Sequence, residues 1–389
     1  MKILHIIMSV SLRGGGPIEG LLQQQAATAG TVHREIATLD VPGDPELAGI
    51  PIPVHALGER RGGLLSRSIR RRSTRIVPWL RDHVGDYDAV IVEGLWNYAI
   101  FAAARVLPGS GIPYVVFPHG MLDPWFRRTY PVKHAAKQLS WAMAEGPLLA
   151  GASCVLFTTE EERRLARNAF VGHQSYRSAV VGYGIGEPPP ATGEQIRAFR
   201  MKVPTLDERP FLLFLSRLHE KKGCDLLVDA FARIAPDHPH LDLVIAGPDH
   251  GGLQGRLGAR ARELGIERRI HWPGMLVGDA KWGAFRESEA FILPSHQENF
   301  GVVVAEAMAC GKAVLISDKV NIWREVEAAG AGLVAGDTLD GTVSLLQRYL
   351  ALDPAQRETM GRKARQGFLE NFEVRTAAAS VIDVIKHCV

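Results

Sequence analysis

Two glutamates, Glu298 and Glu306, lie in the stretch LPSHQENFGVVVAEAMACGK, residues 293–312. An apolar run ends at Pro294, and Gly301 opens a segment of helical composition. A strand that turns into a helix presents backbone N–H groups and a positive dipole end, which favour anions. Glu298 can accept hydrogen bonds from hydroxyls, and Glu306 lies about a turn and a half further along. This arrangement suits a sugar nucleotide, although a surface Glu and a helix-capping Glu fit the spacing equally well.

The same stretch resembles a known family. Glu298, seven intervening residues and Glu306, set in ENFGVVVAEAMACGKAVLIS, resemble the E-x7-E motif of retaining GT-B glycosyltransferases, specifically glycosyltransferase family 4. The resemblance implies a GT-B fold, in which two Rossmann-like doubly wound α/β domains face a central cleft. It also implies a transferase that uses a nucleotide-sugar donor, with no metal site and no cofactor.

Composition limits the class of protein. The chain has 389 residues, 46% of them hydrophobic and 22% charged, which is ordinary for a soluble globular protein of two domains. The net charge of +3 is too small to indicate a nucleic-acid partner. The four cysteines lack C-x-x-C spacing and fit a reducing cytoplasm. No apolar run is long enough to cross a bilayer, and we interpret the first, MKILHIIMSVSL, as a buried strand.

Short apolar runs alternate with helical patterns through both halves, which predicts parallel strands covered by helices on both faces. Three prolines at 188–190 interrupt the alternation. We therefore predict an N-terminal domain over 1–186, a linker over 187–208 and a C-terminal domain over 209–372. The resemblance implies that the last helix, over 373–389, crosses back to the first domain.

Ligands of such sheets gather at the carboxyl ends of the strands. Arg217 lies at the end of the run FLLFLSRL and Lys222 follows it, where basic groups can neutralise a diphosphate, with a surface charge cluster as the alternative. The family has an Arg and a Lys before Gly in this role, so the resemblance implies that these two residues and Glu298 are catalytic. Further contacts with the nucleotide sugar are implied for Gly247, Met275, Leu276, Asn299, Phe300, Gly301 and Glu306.

Three features of the first half resemble the family. Gly14, Gly15 and Gly16 follow the first strand, and glycines let a backbone approach a ligand closely. The resemblance implies that Gly15 and Gly16 contact the donor diphosphate. It also matches His119 to a catalytic histidine near the transferred sugar, although a structural histidine is the alternative. Glu93 stands where the family often has His, and contact with the acceptor is one hypothesis for it.

The motif PHGMLDPW, residues 118–125, resembles a subset of family 4 enzymes from polysaccharide and exopolysaccharide assembly. We expect a saccharide or polyprenyl-linked acceptor. The residues that follow, Trp125 to Arg128, either line an acceptor groove or contribute to packing. Asp86-Tyr87-Asp88 has the D-x-D form of metal-dependent glycosyltransferases, but it precedes its strand, so we predict a turn there.

The densest positive charge runs from Arg60 to Arg81, with Trp79 and aliphatic residues between the arginines. Such a pattern favours peripheral attachment to anionic lipids on the inner face of the plasma membrane. An ordinary amphipathic helix with a solvated basic face is the alternative.

These patterns predict a retaining hexosyltransferase that moves a sugar from a UDP- or GDP-linked donor to a glycan or lipid-linked saccharide, in bacterial-type cell-surface polysaccharide synthesis. No second carboxylate stands out as a nucleophile, which fits front-face attack as proposed for the family. The alternatives are a sugar-nucleotide epimerase or hydrolase on the same fold, or a non-catalytic GT-B-like partner protein. A nicotinamide dehydrogenase is disfavoured because the G-x-G-x-x-G fingerprint is missing.

Overall fold

The chain folds into two compact units in a computed structural model. The first unit is Met1–Gly184 together with the chain from Val374 onward, and the second is Ile185–Glu373. The residues that the structure describes are 1–11, 16–59, 73–124, 127, 130–249 and 251–387.

The first unit is built on a parallel sheet. Its strands are β1 Lys2–Ile7, β2 His33–Thr38, β3 Val54–Ala56, β4 Ala89–Glu93, β5 Tyr114–Phe117, β6 Cys154–Phe157 and β7 Ser178–Val180. They pair in the order β3-β2-β1-β4-β5-β6-β7. Every residue of β4 and β5 is buried, as predicted for parallel strands covered on both faces. The order changes direction between β1 and β4, and such switch points are where doubly wound sheets bind ligands.

Helices cover this sheet. The described ones are α1 Gly16–Ala27, α2 Ile76–His83, α3 Tyr98–Val106, α4 Pro131–Ser140, α5 Gly146–Gly151 and α6 Glu160–Ala166. A π-helical turn, Trp141–Glu145, joins α4 to α5. The Asn97 side chain caps α3 by accepting hydrogen bonds from the N–H groups of Ala99 and Ile100.

The second unit repeats the plan with a six-stranded parallel sheet. Its strands are β8 Phe211–Leu215, β9 Asp242–Ala246, β10 Ile270–Gly274, β11 Ala290–Leu293, β12 Val314–Ser317 and β13 Gly332–Ala335, in the order β10-β9-β8-β11-β12-β13. Its helices are α7 Gly193–Arg200, α8 Cys224–Ile234, α9 Leu253–Glu263, α10 Gly278–Glu287, α11 Val302–Ala309, α12 Trp323–Ala329, α13 Leu339–Leu350 and α14 Pro354–Asn371.

The predicted linker, 187–208, differs from the structure because it contains α7. Thr192 and Gln195 form a capping box at the start of this helix. Arg200, at its end, makes a bidentate ion pair with Glu287 of α10, with distances of 2.7 and 2.9 Å. The range therefore belongs to the second unit and does not form an extended connection.

The last helix, α15 Val374–Lys386, belongs to the first unit. Val381 and Ile385 are buried there in a cluster with Ile3 and Leu156 of the sheet. No helix within the described ranges is long and apolar enough to cross a membrane.

Candidate functional site

The carboxyl ends of β8 and β11 are neighbours in the second sheet, and the predicted basic and acidic residues follow them. Lys222 ends a short 3-10 turn after β8, and Glu298 lies in the loop after β11. The buried Lys222 ammonium donates a hydrogen bond to Oε2 of Glu298. The structure therefore brings two of the predicted catalytic residues together as an ion pair.

Backbone hydrogen bonds fix the loop that carries Glu298. The His296 N–H donates to the Lys221 carbonyl at 2.7 Å, which joins this loop to the turn after β8. The Glu298 N–H donates to the Lys319 carbonyl at 3.0 Å, and the Asn321 N–H donates to the Glu298 carbonyl at 3.1 Å. Glu298 is thus held from both sides before any ligand contacts it.

Gly301 is the N-cap of α11 and has a φ of 85°, a left-handed conformation that favours glycine. The first N–H groups of α11 therefore face the same loop as Glu298. Phe300 is buried and packs edge-on against Phe372, with ring centroids 5.4 Å apart. Asn299 accepts a long hydrogen bond of 3.5 Å from the Asn321 amide.

Glu306 projects from α11 and pairs with Lys281 of α10. The Lys281 ammonium lies 2.7 Å from Oε1 of Glu306 and 4.3 Å from the ring centroid of Trp282. Both glutamates of the E-x7-E stretch thus have a lysine partner. The sequence did not indicate Lys281, because a lysine within a helix carries no motif of its own.

The remaining predicted residues of this unit follow β8, β9 and β10. Gly247 has a φ of 149°, and a Cβ there would lie 1.7 Å from the Ser216 carbonyl oxygen, so the two chain segments meet closely. Met275 is 63% exposed, whereas Leu276 is buried. Arg217 is exposed, and it forms no ion pair with any other residue that the structure describes.

A second cluster lies in the first unit, where Glu93 ends β4 and His119 follows β5. Oε2 of Glu93 lies 2.6 Å from Nε2 of His119, and Oε1 lies 2.9 Å from Nδ1 of His5 on β1. Glu93 and His5 are buried. His119 has a positive φ of 50°, and its ring stacks on Phe117. The sequence did not indicate this pairing of Glu93 with His119.

These contacts keep the carboxyl group of Glu93 ionised at neutral pH. Burial alone would raise the pKa of Glu93, but hydrogen bonds from His119 and His5 outweigh it and hold the pKa at about 2. Burial lowers the pKa of His5, and the Glu93 hydrogen bond opposes that effect only in part. At neutral pH, His119 therefore has an ionised carboxylate beside it.

Several sequence hypotheses fall partly outside the described residues. The residues outside the described ranges are Gly15, residues 60–72, Trp125, Phe126 and Arg128. Gly16 is described, as the first residue of α1. In the described part of the arginine-rich stretch, Ile76 and Leu80 are buried in the core and Trp79 stacks on His83. The apolar side of α2 thus faces inward, as in an ordinary amphipathic helix. Among the described residues no group of three or more His, Cys, Asp or Glu side chains could hold a metal ion.

Two family models match the chain, one in each unit. The "Glycosyl transferase 4-like domain" model matches residues 15–184, and the "Glycosyl transferases group 1" model matches residues 195–367. Together they account for most of the sequence.

Curated proteins with similar sequences match over shorter regions. The chain is 31% identical to the D-inositol 3-phosphate glycosyltransferase of Kribbella flavida over 251 residues, which are 61% of this chain and 58% of that protein. It is 27% identical to the GDP-mannose-dependent monoacylated alpha-(1-6)-phosphatidylinositol monomannoside mannosyltransferase of Corynebacterium glutamicum over 211 residues, which are 52% and 54% of the two chains. The chain spans about half the length of the curated relatives it matches.

Solved structures match over the whole chain. The Anabaena protein HepE in complex with UDP-glucose superposes with a TM-score of 0.76 at 18% identity, covering 100% of both chains. WaaG, a glycosyltransferase involved in lipopolysaccharide biosynthesis, has a TM-score of 0.66 at 15% identity and 99% coverage of each chain. At these identities the likeness shows the fold alone, and it confirms the predicted GT-B fold class with two Rossmann-like domains.

Proposed function

Because the chain belongs to the family 4 glycosyltransferases, we propose that it transfers a hexosyl group from a UDP- or GDP-sugar to a saccharide acceptor with retention of configuration. The observation that carries this proposal is the pair of lysine–glutamate contacts in the second unit. Lys222 pairs with Glu298 and Lys281 pairs with Glu306, so each of the two carboxylates is held by a cation.

Each group of this cluster has a role toward a nucleotide sugar. Lys222, Arg217 and the first N–H groups of α11 bind the diphosphate, because all are cationic or carry partial positive charge. Glu298 accepts hydrogen bonds from hydroxyls of the transferred sugar, and Glu306 accepts them from the ribose. Such donors and acceptors, fixed before the reaction, stabilise the charge that develops on the leaving group.

The transfer step needs no covalent intermediate with the protein. The acceptor hydroxyl attacks the anomeric carbon on the face from which the diphosphate departs, and the bond between that carbon and the phosphate oxygen breaks. The electron pair of this bond stays on the nucleoside diphosphate, which takes the acceptor's proton. Lys222 and Arg217 offset the charge on the departing phosphate. We assign His119 to the transferred sugar because its motif resembles that of the family.

The donor and acceptor are proposed as classes. HepE was solved with UDP-glucose, and the relative from C. glutamicum is named GDP-mannose-dependent, so both bases are candidates for this chain. WaaG is named for lipopolysaccharide biosynthesis, which supports a glycan or lipid-linked saccharide acceptor at the cytoplasmic side of the cell envelope. We propose a place in cell-surface polysaccharide synthesis on this basis.

Thermal-shift measurements with UDP, GDP, ADP and their common sugar conjugates test the donor site. A ligand that binds only the folded state raises the melting temperature. We expect one nucleotide family to shift it, and Glu306→Ala to weaken the shift. No shift with any nucleotide would contradict the proposal.

Product analysis then tests the reaction class. Retention predicts that the new glycosidic bond has the anomeric configuration of the donor, which NMR of the product reports. Turnover of donor without an acceptor would instead favour an epimerase or hydrolase. Donor binding with no turnover by any acceptor would favour a non-catalytic partner protein.

A further inference from the structure

Helix α4 presents an apolar side to solvent. No residue of this helix is buried. Val132, Ala136 and Leu139 recur at helical spacing along one side, and Val132 and Leu139 are 83% and 63% exposed. Side chains of this type normally pack inward on a surface helix.

Two more exposed apolar residues lie beside this helix. The Gln138 amide donates to the Val171 carbonyl at 3.0 Å, and its oxygen accepts from the Val171 N–H at 2.9 Å. These two bonds hold Val171, which is 81% exposed, against α4. Met143 is also exposed, in the turn that follows the helix. We call Val132, Ala136, Leu139 and Met143 the α4 apolar face.

The basic residues of α4 line a cavity of about 250 Å³. Lys133, His134 and Lys137 contribute to its wall, and Asp123 is the one acidic residue among its described lining residues. The cavity wall also contains Met121, two residues after His119. The helix thus turns Lys133, His134 and Lys137 toward the cavity and its apolar groups toward solvent.

Aromatic rings contact two of these side chains. The Lys137 ammonium lies 4.8 Å from the ring centroid of Trp96, and His134 stacks on Phe170 with centroids 4.5 Å apart. Burial lowers the pKa of Lys137. Burial lowers the pKa of His134 too, with the charges of Arg127 and Lys137 adding to the effect. An anion in the cavity would oppose this lowering of both pKa values.

We propose that α4 binds the acceptor as an anionic lipid, whose phosphate or diphosphate group enters the cavity beside Lys133, His134 and Lys137 while its hydrocarbon chain lies along the α4 apolar face. The proposal rests on the proposed function, because it assigns the chemical class of the acceptor. A soluble sugar phosphate would satisfy the cations but would leave the apolar face exposed to water. A lipid satisfies both, since its charge and its hydrocarbon are joined in one molecule.

Vesicle co-sedimentation of the full chain tests this assignment. The probes are vesicles of phosphatidylcholine alone and of phosphatidylcholine with phosphatidic acid, and we expect tighter binding to the second. Lys133→Gln with Lys137→Gln should weaken that binding by about fivefold per charge removed. Leu139→Ser with Met143→Ser should weaken it by about tenfold per residue. All four side chains are exposed or half-buried, so these variants should fold.

Met201→Ser with Lys202→Gln is the matched control, because it removes an exposed apolar and an exposed basic residue from the second unit. It should bind vesicles as the wild type does. Equal binding of the wild type to both kinds of vesicle would overturn the proposal. The proposal would also be overturned if both α4 variants bound the vesicles as tightly as the wild type does, since another segment would then hold the lipid.

Two further measurements distinguish a failure of the lipid assignment from a failure of the proposed function. Inorganic phosphate that raises the wild-type melting temperature, with no vesicle binding, would overturn the lipid assignment in favour of a soluble phosphate ligand. UDP and GDP binding should be unchanged in both α4 variants, because none of the four substituted residues is among those assigned to the nucleotide. Failure of the wild type to bind nucleotides would contradict the proposed function whatever the vesicles show.

Discussion

Nε2 of His119 lies 2.6 Å from Oε2 of Glu93, and the other oxygen of that buried carboxylate lies 2.9 Å from Nδ1 of His5. An ionised carboxylate can only accept hydrogen bonds, so both histidines donate to it. Nε2 of His119 therefore carries a proton, and in the neutral ring Nδ1 is the acceptor. Glu93 is a positioning residue in this account, because it acts through the ring of His119.

Glu93→Gln should lower the transfer rate on the order of a hundredfold. The Gln amide can donate as well as accept, so it no longer fixes the tautomer of His119. Nucleotide affinity should not change, since neither Glu93 nor His119 is assigned to the nucleotide itself. Steady-state kinetics and nucleotide titration on the same preparation measure the two effects separately.

Glu35→Gln is the matched control for this variant. It removes another carboxylate that pairs with a histidine of the same sheet, His55, at 2.7 Å. Transfer by this control at neutral pH should match that of the wild type. Equal losses in the two variants would show a general effect on the sheet and would contradict a specific role for Glu93.

Substitutions of the two glutamates of the E-x7-E stretch should weaken the binding of different ligands. Glu306→Gln should weaken binding of both the free nucleoside diphosphate and its sugar conjugate, because the ribose is common to them. Glu298→Gln should weaken only the sugar conjugate. A hydrogen bond to a charged group contributes about 1.5 to 3 kcal/mol, so each loss should be on the order of tenfold to a hundredfold.

Isothermal titration with the diphosphate and its sugar conjugate measures this difference. Glu263→Gln is the control, because Glu263 is exposed in the same unit and pairs only with a nearby arginine, Arg260. If Glu306→Gln and Glu298→Gln weakened the binding of both ligands to the same extent, the assignment of separate hydroxyl groups would be wrong.

Arg217 should distinguish a diphosphate from a monophosphate. It is exposed and has no ion-pair partner within the described ranges, so Arg217→Gln should leave the melting temperature unchanged. Affinity for the nucleoside diphosphate should fall about tenfold, the effect of losing one charge-assisted hydrogen bond. Affinity for the matching monophosphate should fall less. Equal losses for both would place Arg217 away from the terminal phosphate.

The strand pattern was predictable where burial is complete on both faces. The runs AVIV of β4 and AFIL of β11 are continuously apolar because neither face meets water. The edge strands β3 and β13 are only half-buried, so their sequences lack such runs and did not predict strands. Lys222 and Glu298 were each predictable from the sequence, because each follows a strand in a recognisable motif.

The contact between Glu93 and His119 required the register of the sheet. Glu93 is paired with Phe117, and His119 follows two residues later, on the same face of the sheet. Strand order and register depend on packing between distant segments, which a single sequence does not display. The same limit applies to Lys281, whose approach to Glu306 depends on how α10 packs beside α11.

Gly247→Ala should destabilise the second unit. A Cβ at this position would lie 1.7 Å from the Ser216 carbonyl oxygen, so the ends of β8 and β9 would have to separate. A forced rearrangement of this kind costs about 1 to 3 kcal/mol. Urea unfolding of the variant measures the change. Gly258→Ala within α9 is the control, because no atom lies within 4 Å of its added Cβ, and it should stabilise the protein by up to about 1 kcal/mol.

Glu35 should make the stability of the first unit depend on pH in the acid range. Burial alone would raise the pKa of Glu35, but hydrogen bonds from Tyr87, His55 and Lys2 outweigh it and hold the pKa at about 2, against an ordinary 4.5. A carboxylate whose pKa is lower in the folded state stabilises that state at pH values above its unfolded pKa. This stabilisation is lost as the pH falls from 4.5 toward about 2.

Glu35→Gln should therefore lower the free energy of unfolding at neutral pH by at most about 3 kcal/mol. It should also flatten the dependence of that free energy on pH between 4.5 and about 2. Urea unfolding at a series of pH values measures both effects. Glu358→Gln, which removes an exposed pair with Arg362, is the control and should change the free energy by less than about 1 kcal/mol. A pH dependence as steep in Glu35→Gln as in the wild type would assign the acid sensitivity to other carboxylates.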